Sequence, residues 1–287
     1  MQLKRHFGFK NAIVFDLSNA CAGMFTGILV AEDLLAAGSA NRILLVSGEF
    51  ISNIAFTAQK EITGFNDPRM ACLTVGDSGA AIILDRRSDD ASGFEMLDML
   101  TLSKFSGLCV GRPTDQPHGG FVMHLADPVQ MTALAVNRSL AFATHHLKQF
   151  PGLKTPKHLI MHQTSLRALR ASEQELMRVF GEEGNVSDRF IINLQNRGNT
   201  ATTTHFVALW DHVLNGRIRR NDSVAFGISG SGQTIGLAYC ELDELPDKLR
   251  AYKLQSVRAS KQKVAVDVAK LHPHADKRVG IRCAATW

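Results

Sequence analysis

The sequence predicts an α/β protein made of two similar halves about a pseudo-twofold axis, the first half incomplete. Three observations predict it. A strand-to-helix unit is written twice along the chain. In both copies the residue at the handover stands equally far from the glycine that closes the helix: Cys21 to Gly38 and Asn199 to Gly216 are each 17 residues. The second copy is preceded by an extra strand and helices, whereas the chain begins almost at the strand of the first.

The elements follow in order. Ala12–Leu17 is an apolar run that reads as a strand and hands over through Ser18-Asn19-Ala20-Cys21-Ala22-Gly23 to a helix reaching Ala37. Arg42–Ser47 reads as a buried strand, and Leu73–Leu84 as small residues followed by another. Val129–Phe150 has helical apolar spacing, Lys157–His162 reads as a strand, and Leu166–Phe180 as a second helix. The second copy opens with the strand Phe190–Leu194, passes Asn196-Arg197-Gly198-Asn199, and continues as a helix to Leu214. Ser223–Ile228, the turn Gly230-Ser231-Gly232 and the strand Thr234–Leu242 close it. The expected division is 1–95 for the partial first half, 96–243 for the second, and 244–287 for a C-terminal extension. Without upstream strands, the first sheet is expected to carry an open apolar edge, filled by an N-terminal piece or a partner chain.

Composition excludes several classes. Of 287 residues, 45% are hydrophobic and 21% charged, an ordinary globular balance. No run of 18 apolar residues occurs, so no membrane span is expected. The basic start could suggest a secretion signal, but Asp16 and Asn19 interrupt the apolar stretch too early, and a cytoplasmic protein is expected. Cys21, Cys72, Cys109, Cys240 and Cys283 stand far apart without a metal or disulfide spacing. The net charge of +5 is not a nucleic-acid signature, because residues 1–243 hold 22 Lys and Arg against 23 Asp and Glu. Residues 244–287 hold 10 against 4, which reads as a solvated basic tail.

Three residues could carry chemistry. Cys21, after a strand and among small neighbours, would sit at a helix N-terminus, where backbone N–H groups favour a thiolate. Cysteine at such a place is equally often a small buried hydrophobe. His162 ends an apolar strand, the end at which open α/β sheets bind ligands, although a structural histidine explains it as well. Asn199 mirrors Cys21, and it could simply cap its helix. Convergence favours the chemical reading: a nucleophile, an imidazole and an amide at three strand ends make a usable set. The His158/His162 pair has metal-like spacing but lies on a strand without a third ligand, and no metal is expected. Gly230-Ser231-Gly232 precedes a strand rather than a helix, so it is no dinucleotide loop. Gly76-Asp77-Ser78-Gly79 has only His6 ahead of it as a base and is set aside as a protease motif.

These segments resemble a known family. Asp16–Gly23 is similar to the active-cysteine segment of ketoacyl-acyl-carrier-protein synthase III. His162-Gln163-Thr164-Ser165-Leu166-Arg167 resembles that family's His-Gln-Ala-Asn segment, and Asn196–Thr200 its Gly-Asn-Thr segment. Gly230–Gly236 stands where the family has its last glycine-rich turn. The resemblance spans about residues 11–243. It implies a thiolase-like, five-layered αβαβα fold, a homodimer, and decarboxylative Claisen condensation of an acyl-CoA with a malonyl thioester, possibly on acyl carrier protein. It implies Cys21 as the acylated nucleophile, His162 and Asn199 as partners of the enolate, and backbone N–H groups of Cys21 and Ser231 as an oxyanion hole. Ser165, Arg167, Gly230 and Gly232 would contact substrate, and no cofactor is needed. Ser165 replaces an asparagine of the family, and Gln174 and Glu175 stand where basic residues dock the carrier. A non-decarboxylating relative, resembling hydroxymethylglutaryl-CoA synthase or the head-to-head acyl-CoA synthases, is the competing enzyme. A non-catalytic subunit is the competing non-enzyme.

Overall fold

A computed structural model describes residues 2–86, 93–150, 152–181 and 185–256. After a short helix α1 (Gln2–His6), the chain runs extended to a 3₁₀ turn at Ala20–Ala22 and enters α2 (Gly23–Ala36). The strand β1 (Arg42–Glu49), helix α3 (Ser52–Gln59) and strand β2 (Ser78–Asp85) complete the first half. Next come β3 (Phe94–Thr101), the hairpin β4 (Cys109–Pro113) and β5 (Phe121–Leu125), and the long helix α4 (Pro128–Gln149). The second half continues with β6 (His158–Met161), α5 (Leu166–Phe180), α6 (Val186–Arg189), β7 (Phe190–Ile191) and α7 (Leu194–Arg197). A 3₁₀ turn at Ala201–Thr203 then leads into α8 (Thr204–Leu214), followed by β8 (Ser223–Gly230) and β9 (Thr234–Glu241).

The main sheet has the order β3-β9-β8-β6-β7, with β6 parallel to both β7 and β8 and the β8–β9–β3 side antiparallel. Nearly every residue of β8 and β9 is buried, as a strand covered on both faces requires. Val224, Phe226 and Ile228 face α2 and α8, joining Phe25, Ile28, Ala208 and Val213 in the central core. Ala225 and Gly227 face the other way, lining with Leu159 and Met161 a cavity of about 120 Å³ under α4 and α5. On the far side of α2, Leu45, Ile82 and Leu84 of the β1–β2 pair pack against the same core. The layers are therefore α4/α5, main sheet, α2/α8 and β1–β2: four of the five expected, among the described residues.

Several expectations need correction. Ala12–Leu17 forms no strand, and Ile13 is 91% exposed. The second half shows why: there β6 lies between β7 and β8 and pairs with both, whereas no described strand lies between 12–17 and β1. An extended run without a ladder partner gives its backbone hydrogen bonds to water. The boundary at 95 falls inside β3, which belongs to the main sheet from Phe94 onward. The extension does not begin as a solvated tail, because the chain is helical over 245–256. Leu249 packs on the core there, and Arg250 donates to the carbonyls of Val213 and Ile218. Residues 257–287, with most of the basic charge, lie outside the described residues.

Leu44, Val46 and Ile83 stand exposed on the face of β1–β2 turned away from α2. A flat apolar face beside an unpaired strand edge invites association. Purified residues 1–287 are expected to self-associate, as read by light scattering across a dilution series. A monodisperse monomer with a cooperative melt would overturn this.

Candidate active site

Each half lends the other a turn. The main sheet's turn at Gly230 presses on the nucleophile segment: a Cβ at Gly230 would lie 3.1 Å from the Ala22 nitrogen and 3.6 Å from that of Cys21. Reciprocally, the turn before β2 grips Asn199, whose N–H donates to the Thr74 carbonyl at 2.7 Å while its own carbonyl accepts from the Gly76 N–H at 3.0 Å. Gly198 has φ +69°, and a Cβ there would meet the Thr74 oxygen at 2.8 Å. The Gly76-Asp77-Ser78-Gly79 run thus serves as half of this clamp. The 3₁₀ turns carrying Cys21 and following Asn199 pack against each other, with Gly23 of α2 against Thr202.

Cys21 is half-buried, and Ala20 before it is held at φ +41°, an uncommon backbone for a residue with a Cβ. Asn19 fixes this turn by donating to Thr26 Oγ1 at 2.8 Å. The backbone N–H groups of Ser231 and of Cys21 itself act to lower the pKa of the Cys21 sulfur. Even so, burial pushes the thiol up to about 12, reinforced by Cys109 and Glu49 nearby. The expected thiolate is therefore corrected: loss of water around the sulfur outweighs the helix terminus and the two N–H donors. The resting group is a thiol. Its ionised fraction grows roughly tenfold per pH unit below its pKa. Alkylation of Cys21 by iodoacetamide is expected to accelerate by that factor up to about pH 10 without levelling. A plateau between about pH 8 and 9 would restore an ordinary thiol.

His162 follows β6 and is buried, its N–H donating to the Gly227 carbonyl at 3.0 Å. Burial first, then the neighbouring His205, lower its pKa to about 3, so the ring is neutral at physiological pH. Its Nδ1 is buried without a partner. His158 is committed elsewhere, to Asp222 at 2.9 Å. Gln163 stitches β6 to β7, donating to the Ile191 carbonyl and accepting the Asn193 N–H.

Asn199 is buried and does not cap α8, which starts at Thr204. Its Oδ1 accepts the Ala201 N–H at 3.0 Å, so the amide's unused edge is the donor Nδ2. Thr74 brings the His162 and Asn199 segments together: its Oγ1, which donates to the Ala71 carbonyl at 2.8 Å, also lies 3.3 Å from the Thr164 carbonyl. Rings link the rest: Phe25, one turn after Cys21, lies 5.1 Å from His205, which stacks at 5.6 Å on His162.

The substrate-contact expectations fare unevenly. Ser165 spends its Oγ accepting the Ala168 N–H as the cap of α5. Arg167 is exposed on the first turn of that helix, and Gly232 lies at φ +81° beyond Ser231. Glu175 pairs with Arg178 along the same helix. Three residues went unforeseen. Cys109 reaches Ser231 Oγ at 3.0 Å from β4. Glu49 accepts from Ser47 of its own strand and from Thr202 across the halves, and His205 is fully buried beside His162. Glu49 had a readable signal, a carboxylate at a strand's carboxyl end.

Against known proteins, the model of the 3-oxoacyl-[acyl-carrier-protein] synthase III family matches residues 15–102, and its C-terminal model residues 153–242. The beta-ketoacyl-[acyl-carrier-protein] synthase III of Prochlorococcus marinus is 26% identical over 83% of this chain and 69% of its own length. That of Aquifex aeolicus is 22% identical over 79% of this chain and 66% of its own. The synthase III structure from Thermus thermophilus superposes with a TM-score of 0.64 at 24% identity, covering 84% of this chain and 71% of that one. OleA of Xanthomonas campestris, solved with lauric acid and lauroyl-CoA, gives 0.69 at 19% identity over 84% of this chain and 70% of that one. With a matching fold and both halves of the family model, the chain belongs to the 3-oxoacyl-[acyl-carrier-protein] synthase III family of condensing acyltransferases, within the thiolase-like fold.

Proposed function

We propose that the chain catalyses decarboxylative Claisen condensation of an acyl-CoA-derived acyl group with a malonyl thioester, through an acyl-Cys21 intermediate. The observation that carries this is the Gly230 turn pressed on the Cys21 segment, where a Cβ on Gly230 would lie 3.6 Å from the Cys21 nitrogen, so that backbone N–H groups of Cys21 and Ser231 act on the sulfur. In acylation, the sulfur forms a bond to the thioester carbonyl carbon and loses its proton. The CoA sulfur departs and takes up a proton. The same two N–H groups suit the oxygen of the tetrahedral intermediate.

In condensation, the malonyl carboxylate leaves as carbon dioxide and its bonding electrons pass into an enolate. Neutral His162 and the free Nδ2 edge of Asn199 are the donors for that oxygen. The enolate carbon then bonds to the Cys21 thioester carbon and expels the sulfur, which takes up a proton from solvent to return to the thiol. Arg167 and Ser165 at the start of α5, with the Gly230–Gly232 turn, flank the approach of the thioester arm. The extender on acyl carrier protein or CoA, a homodimeric or partner-completed assembly, and a cytoplasmic location belong to the same proposal. No described helix is long and apolar enough to cross a membrane.

Incubation with short and long acyl-CoA, followed by intact mass and peptide mapping, tests the first step. Acylation at Cys21, abolished in Cys21→Ala, is expected. Label on Cys72 or Cys109, or none on folded protein, would sink the proposal. Efficient joining of two acyl-CoA molecules without a malonyl thioester would move it to the head-to-head chemistry.

A further inference from the structure

His205 lies within α8, six residues after Asn199, and is fully buried. Its place is made by aromatic rings. Phe25 meets it edge-on at 5.1 Å and 86°, Phe226 edge-on at 6.2 Å, and His162 lies nearly parallel at 5.6 Å and 23°. Its Nε2 donates to the Gly227 carbonyl at 2.9 Å, which settles the tautomer, since a carbonyl can only accept. The same carbonyl receives the His162 backbone N–H at 3.0 Å. One oxygen of β8 therefore holds the backbone of one histidine and the ring of the other.

A polar ring here needs an explanation beyond filling space. Its Nδ1 is buried without a partner, as is that of His162, and an unpaired buried acceptor costs stability that an apolar side chain would not. The ring of His162 has no hydrogen bond of its own to set its plane among the described residues. What touches its face is His205.

We propose that His205 is a positioning residue for His162: tethered through Nε2 to the Gly227 carbonyl, its ring stacks on the imidazole and fixes the plane from which His162 meets the enolate oxygen. This rests on the role given to His162 above. The stack also joins the two stages. Phe25 stands one turn after Cys21 and packs on His205, so an acyl group that shifts the start of α2 bears on the ring under His162.

Three variants separate ring from tether. His205→Phe keeps a ring without a donor, His205→Gln keeps a donor without a ring, and His205→Leu keeps neither. The readouts are Cys21 acylation by mass, the rate of carbon dioxide release from malonyl-CoA on acylated enzyme, and the ring nitrogen signals of His162 in histidine-labelled protein. His205→Leu is expected to slow carbon dioxide release about 10- to 100-fold, the usual scale for a misplaced group. Acylation should stay at the wild-type level and the His162 signals should shift. His205→Phe should recover more of the rate than His205→Gln. Wild-type rates and unshifted His162 signals in all folded variants would overturn the proposal. So would recovery by Gln and not Phe, a comparison that stands even if the Leu variant fails to fold. Wild-type enzyme that releases no carbon dioxide fails the condensation reading instead, and the His162 signals still test the stack.

Discussion

His162→Ala is expected to cut carbon dioxide release from a malonyl thioester by about 100- to 1000-fold, the usual loss for one positioned donor at a developing oxyanion. Acylation of Cys21 should remain close to normal. The asymmetry follows from where the groups sit. The backbone N–H groups that act on the Cys21 sulfur belong to Cys21 and Ser231, not to the imidazole. The enolate oxygen would keep only Asn199 once the ring is gone. The strongly lowered pKa of His162 adds a pH signature: a ring neutral at all pH values above about 3 contributes no titration step between about pH 5 and 9. A bell-shaped malonyl-dependent profile with a limb near pH 6.5 that vanishes in His162→Ala would place an ordinary, titrating histidine there. Equal loss of acylation and decarboxylation would instead make His162 the base for Cys21.

The parts of this site legible in the sequence were those encoded by local pattern. Helix α5 runs over Leu166–Phe180 as its apolar spacing indicates, because its Ser165 cap and Gly181 stop lie in the chain itself. The repeat paired Cys21 with Asn199, and the 3₁₀ turn carrying Cys21 does pack against the one following Asn199, although neither residue follows a strand directly. What depended on distant partners was not legible. Ala12–Leu17 has the composition of a strand, yet a strand exists only as part of a ladder. Phe190–Leu194 shortens to the two residues of β7 because only Leu159 and Ile160 face it. The resting state of Cys21 turned on burial, which no spacing reports, and the thiol is neutral where the helix terminus alone suggested an anion. His205 was invisible for the same reason. A histidine inside an amphipathic helix gives no sign of what its ring will touch.

The largest structural effect is expected from Gly76→Ala. A Cβ at Gly76 would lie 1.9 Å from the Arg197 carbonyl oxygen, and that neighbour is backbone, which cannot rotate aside as a side chain can. The loop on which Asn199 stands would have to move bodily. The Asn199 hydrogen bonds to Thr74 and Gly76 and the Val75–Asn199 bridge would go with it. Overpacking that forces such a shift costs about 3 kcal/mol or more. In a chain of this size, that lowers Tm by roughly 6–12 °C. Gly48→Ala is the matched control, since no atom lies within 4 Å of a Cβ there, and its melt should overlay the wild type. The surviving Gly76→Ala protein should lose decarboxylation more than acylation, because the clamp seats Asn199 and not Cys21. Tm and acylation measured on both variants decide it. If Gly76→Ala melts with the wild type, the two halves are not held by this contact, and the placement of Asn199 needs another cause.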